Sequence, residues 1–290
     1  MKKLPFFILL SCLCLSLAVP AAAQQDILQD TPEWLKRTEF SFQWESEKKP
    51  VYYLQTVQPL YADDTKQNTV FIQPRVSNSM DEATYNVGFG YRRLVNDNLL
   101  VGVNLFGDYE DTNEHARAGV GVEALGQVFE ARINSYFGLS SKKCVQEDTS
   151  VAIYERVADG LDMEVGMPVP YLPWLKVYGS GFWYDFKKFD DKVGWKSRME
   201  AKMNDAIKLE FFAWDDNKGG TEYGGQLRCT LAFDGFFDFS DSFEVSDEPF
   251  PSRDLKKSTL IPVERSFDIT VESWSETKSG GLTVEVGRAS

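Results

Sequence analysis

The chain is 290 residues long and carries 44 acidic against 31 basic side chains, a formal net charge of −13, with a single histidine. That balance excludes a nucleic-acid-binding domain, which would show a basic face, and one imidazole leaves little material for a histidine metal site or a Ser-His relay. Four cysteines are too few for a disulfide scaffold, and the length suits one large all-β unit.

At the N-terminus, Met1-Lys2-Lys3 precedes an apolar run from Leu4 to Val19 and then Ala21-Ala22-Ala23-Gln24. These are the basic, apolar and small-residue segments of a secretory signal peptide, so residues 1–23 are expected to be one, with a short periplasmic segment over 24–36. The brevity of the run, with Pro5 and Pro20, argues against a membrane anchor. Cys12 lies inside the apolar run rather than at its end, which argues against a lipoprotein site. Cys144 falls in a predicted loop and Cys229 in a predicted strand, so no bridge between them is expected. No later stretch holds 18 consecutive apolar residues, as a membrane-crossing helix would need.

From residue 37 to residue 233 the hydropathy alternates with period two. Ala116, Ala118, Val120, Val122 and Ala124 oppose Arg117, Gly119, Gly121 and Glu123; Phe129, Ala131, Ile133 and Phe137 oppose Glu130, Arg132, Asn134 and Tyr136. The same holds for Val193–Met203, Ile207–Ala213 and Tyr223–Phe233. A 3.6-residue period would scatter these charges around a helix, so the segments are strands with one apolar and one polar face. Two architectures fit: a soluble sandwich or barrel with its apolar faces inside, or a membrane barrel with apolar faces on lipid and a polar lumen. Three features favour the membrane barrel. The strands are long, about ten residues each, whereas soluble strands usually number five or six and crossing a bilayer at a tilt takes about 9–11. Aromatic residues such as Tyr91, Tyr109, Phe129, Trp183, Trp195 and Tyr223 gather near segment ends, as in interfacial girdles. The polar faces mix glycine with both charge signs: Arg92, Asp108, Arg117, Glu123, Arg132, Glu164, Arg198, Glu200 and Arg228. These nine are the expected lumen-facing charges, with the glycines leaving room between them.

The strands expected in chain order are 37–46, 50–60, 69–77, 83–94, 98–109, 115–125, 128–138, 160–168, 174–185, 193–203, 206–215 and 221–233. Twelve is an even count, which returns both ends of the barrel to the periplasmic side. Short connections at 96–98, 126–127, 169–173 and 204–205 alternate with generally longer, polar ones at 78–82, 110–114, 139–159, 186–192 and 216–220, expected outside. Pro74, lacking a ladder donor, suggests a bulge in the third strand.

Several blocks here resemble the translocator domain of the intimin/invasin family, the inverse autotransporters: Asn86-Val87-Gly88-Phe89-Gly90-Tyr91-Arg92-Arg93, Leu99 to Tyr109, and His115 to Glu123. The likeness continues through Asn134 to Ser140, Tyr154 to Asp162, and Pro170-Tyr171-Leu172-Pro173, with Tyr52-Tyr53-Leu54 and Pro59-Leu60-Tyr61 upstream. The resemblance covers roughly residues 37 to 233. It implies a twelve-stranded outer-membrane barrel that anchors and helps export an extracellular passenger lying C-terminal to it. It also implies outer-membrane lipid and the barrel assembly machinery as partners, for a chain expected to be a monomer. Gln24 to Lys36 is too short for the peptidoglycan-binding module of many members. The residues after Phe233 are too few for one immunoglobulin-like domain of about 100 residues, so no large passenger is expected and an adhesin role does not carry over.

The tail, 234–290, begins acidic and aromatic from Asp234 to Glu248, readable as a lumen plug, a cation-binding segment or a solvated linker. Val263–Val271 and Leu282–Val286 alternate around Lys278-Ser279-Gly280-Gly281 and read as a β-hairpin. Two readings fit such a tail: a residual passenger threaded through the pore, which makes it a candidate occupant of the lumen, or a small periplasmic element. No catalytic constellation is expected. His115 lacks a Gly-x-Ser-x-Gly elbow, and Gly88-x-Gly90 and Gly119-x-Gly121 lie mid-strand rather than before a helix, as nucleotide loops would. Asp190-Asp191 and Asp215-Asp216 read as solvated loop carboxylates, so neither metal nor cofactor is expected. The sequence therefore points to a non-enzymatic outer-membrane barrel of inverse-autotransporter type, with a small porin-like channel or a structural outer-membrane protein as the alternative.

Overall fold

Strand pairing closes this chain on itself. The computed structural model describes residues 32–46, 48–79, 82–231, 239 and 243–277; the expected signal peptide lies outside the described residues. After a one-turn helix α1 (Glu33–Lys36) come β1 (Thr38–Glu45), β2 (Val51–Thr56), β3 (Gln58–Ala62), β4 (Asn68–Ser79), β5 (Glu82–Asn96), β6 (Leu99–Glu110), β7 (His115–Gly126) and β8 (Glu130–Gly138). There follow β9 (Lys143–Glu147), β10 (Val151–Val157), β11 (Asp159–Val169), β12 (Leu172–Asp185), β13 (Lys192–Lys202), β14 (Ile207–Asp216), β15 (Glu222–Thr230) and β16 (Val271–Thr277). Neighbours pair antiparallel; β1 joins β15 with Phe40 opposite Cys229, and β2 joins β4 with Leu54 opposite Val76. Because β2 and β3 are one strand interrupted at Val57, the closed barrel has twelve staves. Among the described residues no helix is long and apolar enough to cross a membrane.

The expected and observed strands agree to within a few residues, with three differences. The β4–β5 register runs unbroken through Pro74 opposite Val87, so no bulge occurs there. Gln73 and Pro74 instead face the gap between β2 and β3, where Gln55 opposes Arg75 and Gln58 opposes Ile72. The donor that proline lacks falls where the ladder is already broken. The loop expected at 139–159 contains the hairpin β9–β10, which with β16 forms a separate three-stranded sheet. In the tail, 263–270 is irregular, the strand starts at Val271, and it pairs with β10. The second arm of the expected hairpin, 282–286, lies outside the described residues.

Burial alternates along each stave in the sense opposite to a soluble sandwich. In β6 the apolar Val103 and Leu105 are 53% and 54% exposed, while Asn104 and Asp108 between and beyond them are 8% and 3% exposed. Inside, bulky rings are accommodated by cross-strand glycines. Phe106 lies opposite Gly88 and Phe71 opposite Gly90, each ring occupying the space that a Cβ on its glycine would need. Tyr178 on Gly166 and Tyr184 on Gly160 repeat the arrangement across β11 and β12. These aromatic–glycine pairs cover the bare backbone while keeping the wall register fixed.

Candidate functional site in the barrel interior

The interior is occupied by the chain's own tail, whose contacts advance steadily from one mouth to the other. At the end with the short turns, Ser246 N–H donates to the Tyr171 carbonyl and Tyr171 N–H to that of Pro249. Gln127 then clamps the main chain of Arg253 (2.8 and 3.0 Å), whose guanidinium reaches the Gly126 carbonyl (2.6 Å) and Glu130 (2.7 Å). A short 3-10 turn follows (Leu255–Ser258), started by Asp254, whose carboxylate accepts from Lys256 N–H. Leu255 seals this end of the lumen against Leu94, Leu100 and Leu125. Further in, Val263 packs with Val57, Phe71 and Phe106, and its N–H donates to Gln73. At the far mouth, Ala158 N–H donates to the Thr270 carbonyl, and β16 pairs with β10 from Val271 opposite Val157 to Thr277 opposite Val151.

The wall charges form three groups. Arg92 is fully buried beside Glu123 (Nε to Oε1 2.6 Å). Asp108 accepts from Arg117 (2.8 Å), Asn86 (2.9 Å) and the tail's Arg265 (2.7 and 2.9 Å). The third group is a chain of pairs: Arg132 to Glu130 and Glu164, Arg198 to Glu164 and Glu210, and Arg228 to Glu210 and the tail's Glu264 (2.6 Å). Glu200 lies at its margin, 3.9 Å from Arg198 and 4.0 Å from Arg228. All nine charges singled out in the sequence thus have opposite-charge neighbours in these groups. Charges removed from water are tolerated only when paired and hydrogen-bonded in this way. Rings add to the arginine sites: Arg117 lies over Tyr136 (4.3 Å), and Arg75 sits between Tyr53 (3.6 Å) and Phe267 (4.2 Å).

Glu130 and Glu210 are not among the nine, although both sit on the polar side of strands read by alternation. Nor are Arg253, Glu264 and Arg265, whose partners lie more than a hundred residues away or across the lumen and leave no local signal. Beside the tail a cavity of about 270 Å³ remains, bounded by Gln43, Lys48, Phe212 and Trp214 on the wall and Glu264 and Asp268 on the tail. His115 is 2% exposed, and its Nε2 lies 2.7 Å from Glu155 of β10. Cys144 and Cys229 are free thiols.

Known proteins carry the same architecture. The family model described as inverse autotransporter, beta-domain, matches residues 16–203. An attaching and effacing protein homolog of Escherichia coli strain K12 is 30% identical over 142 residues, 49% of this chain and 45% of that protein. Intimin of Escherichia coli O111:H- is 26% identical over 200 residues, 65% of this chain and 20% of intimin. The chain therefore spans less than half the length of these relatives. A solved structure described as "Unveiling the Mechanism Behind the in-meso Crystallization of Membrane Proteins" shares the fold at a TM-score of 0.65 and 18% identity, over 81% of this chain and 99% of that one. The protein is an outer-membrane β-barrel, and the chain belongs to the inverse autotransporter beta-domain family.

Proposed function

We propose that the barrel, residues 37–233, anchors the protein as a monomer inserted by the barrel assembly machinery, and holds its tail across the membrane with the C-terminal side at the cell surface. The observation that carries this reading is the order of tail contacts: Gly126 and Glu130, then Arg92, then Gln73 and Asp108, then Ala158 and β10. The mouth with the short turns is read as periplasmic and the mouth bearing β9, β10 and β16 as external. The nine wall charges are read as the lumen's lining, neutralising one another and the tail. The chain is read as non-enzymatic: Glu155 engages His115 at Nε2, and the other ring nitrogen, which a relay would need against a nucleophile, is buried with no hydroxyl or thiol partner among the described residues.

An epitope tag placed after Ser290 tests the reading. External protease should remove it from intact cells; protection on intact cells together with cleavage after outer-membrane permeabilisation would overturn the assignment.

A further inference from the structure

We infer that the barrel wall is a main-chain-reading track, in which Arg92 and Arg117 grip backbone carbonyls of the polypeptide in the pore irrespective of its side chains, while the adjacent pair Glu264 and Arg265 supplies a sequence-specific register. The inference rests on the export reading above and identifies what the lumen recognises: the peptide backbone itself.

Among the described residues, no backbone–backbone hydrogen bond joins residues 250–269 to a barrel strand. The tail's main chain is instead met by wall side chains. Arg92 Nη1 donates to the carbonyls of Ser258 (3.4 Å), Thr259 (3.1 Å) and Ile261 (2.6 Å). Arg117 donates to those of Ser266 and Asp268, both at 2.9 Å. Asn86 and Asn134 reach the carbonyls of Phe267 and Glu264, and Tyr136 accepts from Ser266 N–H. Every residue type carries the same carbonyl, so these contacts do not depend on sequence. Each arginine is also oriented from behind by a wall carboxylate, Arg92 by Glu123 and Arg117 by Asp108, through Nε. Five donors in a rigid fork leave the outer ones free to serve the occupant.

Glu264 and Arg265 behave differently. Although 263–270 is irregular, these neighbours diverge: Glu264 meets Arg228 on β15 while Arg265 meets Asp108 on β6. These staves lie nearly opposite each other around the barrel. The dipeptide braces the lumen from wall to wall, and a shift of one residue would direct both charges at the wrong walls.

The test uses the full chain in planar bilayers, with heat-dependent gel migration verifying a folded barrel in each variant. Replacing residues 256–261 by an unrelated proline-free sequence of equal length should leave conductance within about twofold of the parent. Arg92→Gln with Glu123→Gln and Arg117→Gln, which keeps polarity but removes the forks, should raise time-averaged conductance about tenfold. Glu264→Gln with Arg265→Gln should keep the pore shut yet remove hydrogen-exchange protection from residues 271–277 as the tail slides. A 256–261 replacement that opens the pore as widely as the arginine variants would overturn the track, as would arginine variants that stay closed. Retained protection at 271–277 would overturn the register role. Protection of the Ser290 tag in the parent would sink the export reading alone, because the conductance pattern judges the track without it.

Discussion

At the scale of single residues, the interior depends on charges that cannot be left alone. Asp108 is 3% exposed and faces both Arg117 and Arg265, so its removal strands two guanidiniums away from water. Breaking such a buried pair costs about 3–5 kcal/mol, and Asp108→Leu should lose that much in urea unfolding from lipid vesicles. Lys202→Ala, removing an exposed pair with Asp205, should change the same midpoint by less than about 0.5 kcal/mol. Gly90→Ala is a second residue-scale case. The new methyl would have to displace the Phe71 ring, an overpacking that costs about 1–3 kcal/mol, and the same unfolding measurement reads it. The nine wall charges stand out in the sequence because alternation assigns every second residue to one face. The tail charges do not, for an instructive reason. Val263 to Thr270 alternates like a strand, but Glu264 and Arg265 reach opposite walls of the lumen. Alternation in the sequence can therefore mark a chain lying between two different surfaces without any ladder.

At the scale of elements, the three-stranded sheet at the mouth behaves as a clasp built from distant parts of the chain. Trp274 of β16 is 1% exposed and stacks on Tyr154 of β10 at 6.0 Å. Glu272 is 1% exposed and accepts from the N–H groups of Lys187, Lys188 and Phe189 (3.1, 2.6 and 3.0 Å), tying the clasp to the connection after β12. Glu272→Ala leaves three loop donors to find water, a loss of about 1–3 kcal/mol that should appear as faster amide exchange in 186–190 and 271–277 together. Acid should weaken the clasp in a defined window. The Trp274 indole N–H, with Lys188 and Lys142, holds the Glu276 carboxyl down to about 2 from an ordinary 4.5. A depressed carboxylate contributes its full stabilisation above the ordinary value and loses it as pH falls through the depressed one. Exchange protection of 271–277 should therefore hold at pH 5 and fall between about 4.5 and 2. Lys188→Met should narrow that window from its lower edge, since the carboxyl then protonates at higher pH. The twelve staves were readable because each repeats its alternation about five times. β9 and β10 have only five and seven residues, and the third strand of their sheet, which pairs with β10, lies more than a hundred residues away, so the sequence around 139–159 reads as a loop.

For the whole molecule, the decisive feature is which face meets which medium. The two architectures compatible with the alternation differ only in the sign of that assignment; in the closed barrel Arg92, Asp108 and Arg117 are buried while Val103, Leu105 and Val120 on the alternate positions are exposed. The outward side chains then stabilise the protein only if hydrocarbon surrounds them. Leu105 lies mid-way along β6 and is 54% exposed, so in a lipid bilayer an arginine there would be buried in the acyl region. Leu105→Arg should cost about 2–4 kcal/mol, the penalty of a cation on the lipid face near the midplane, measured by urea unfolding from phosphatidylcholine vesicles. On a soluble barrel the same exposed position would tolerate the change within about 0.5 kcal/mol. The penalty should also shrink toward the ends of the stave, because snorkelling brings the guanidinium to the interface. Tyr109→Arg, one residue from the end of β6, should cost about 1 kcal/mol or less of lipid-face penalty. A Leu105→Arg cost that matches the cost at Tyr109 would contradict a membrane-spanning orientation.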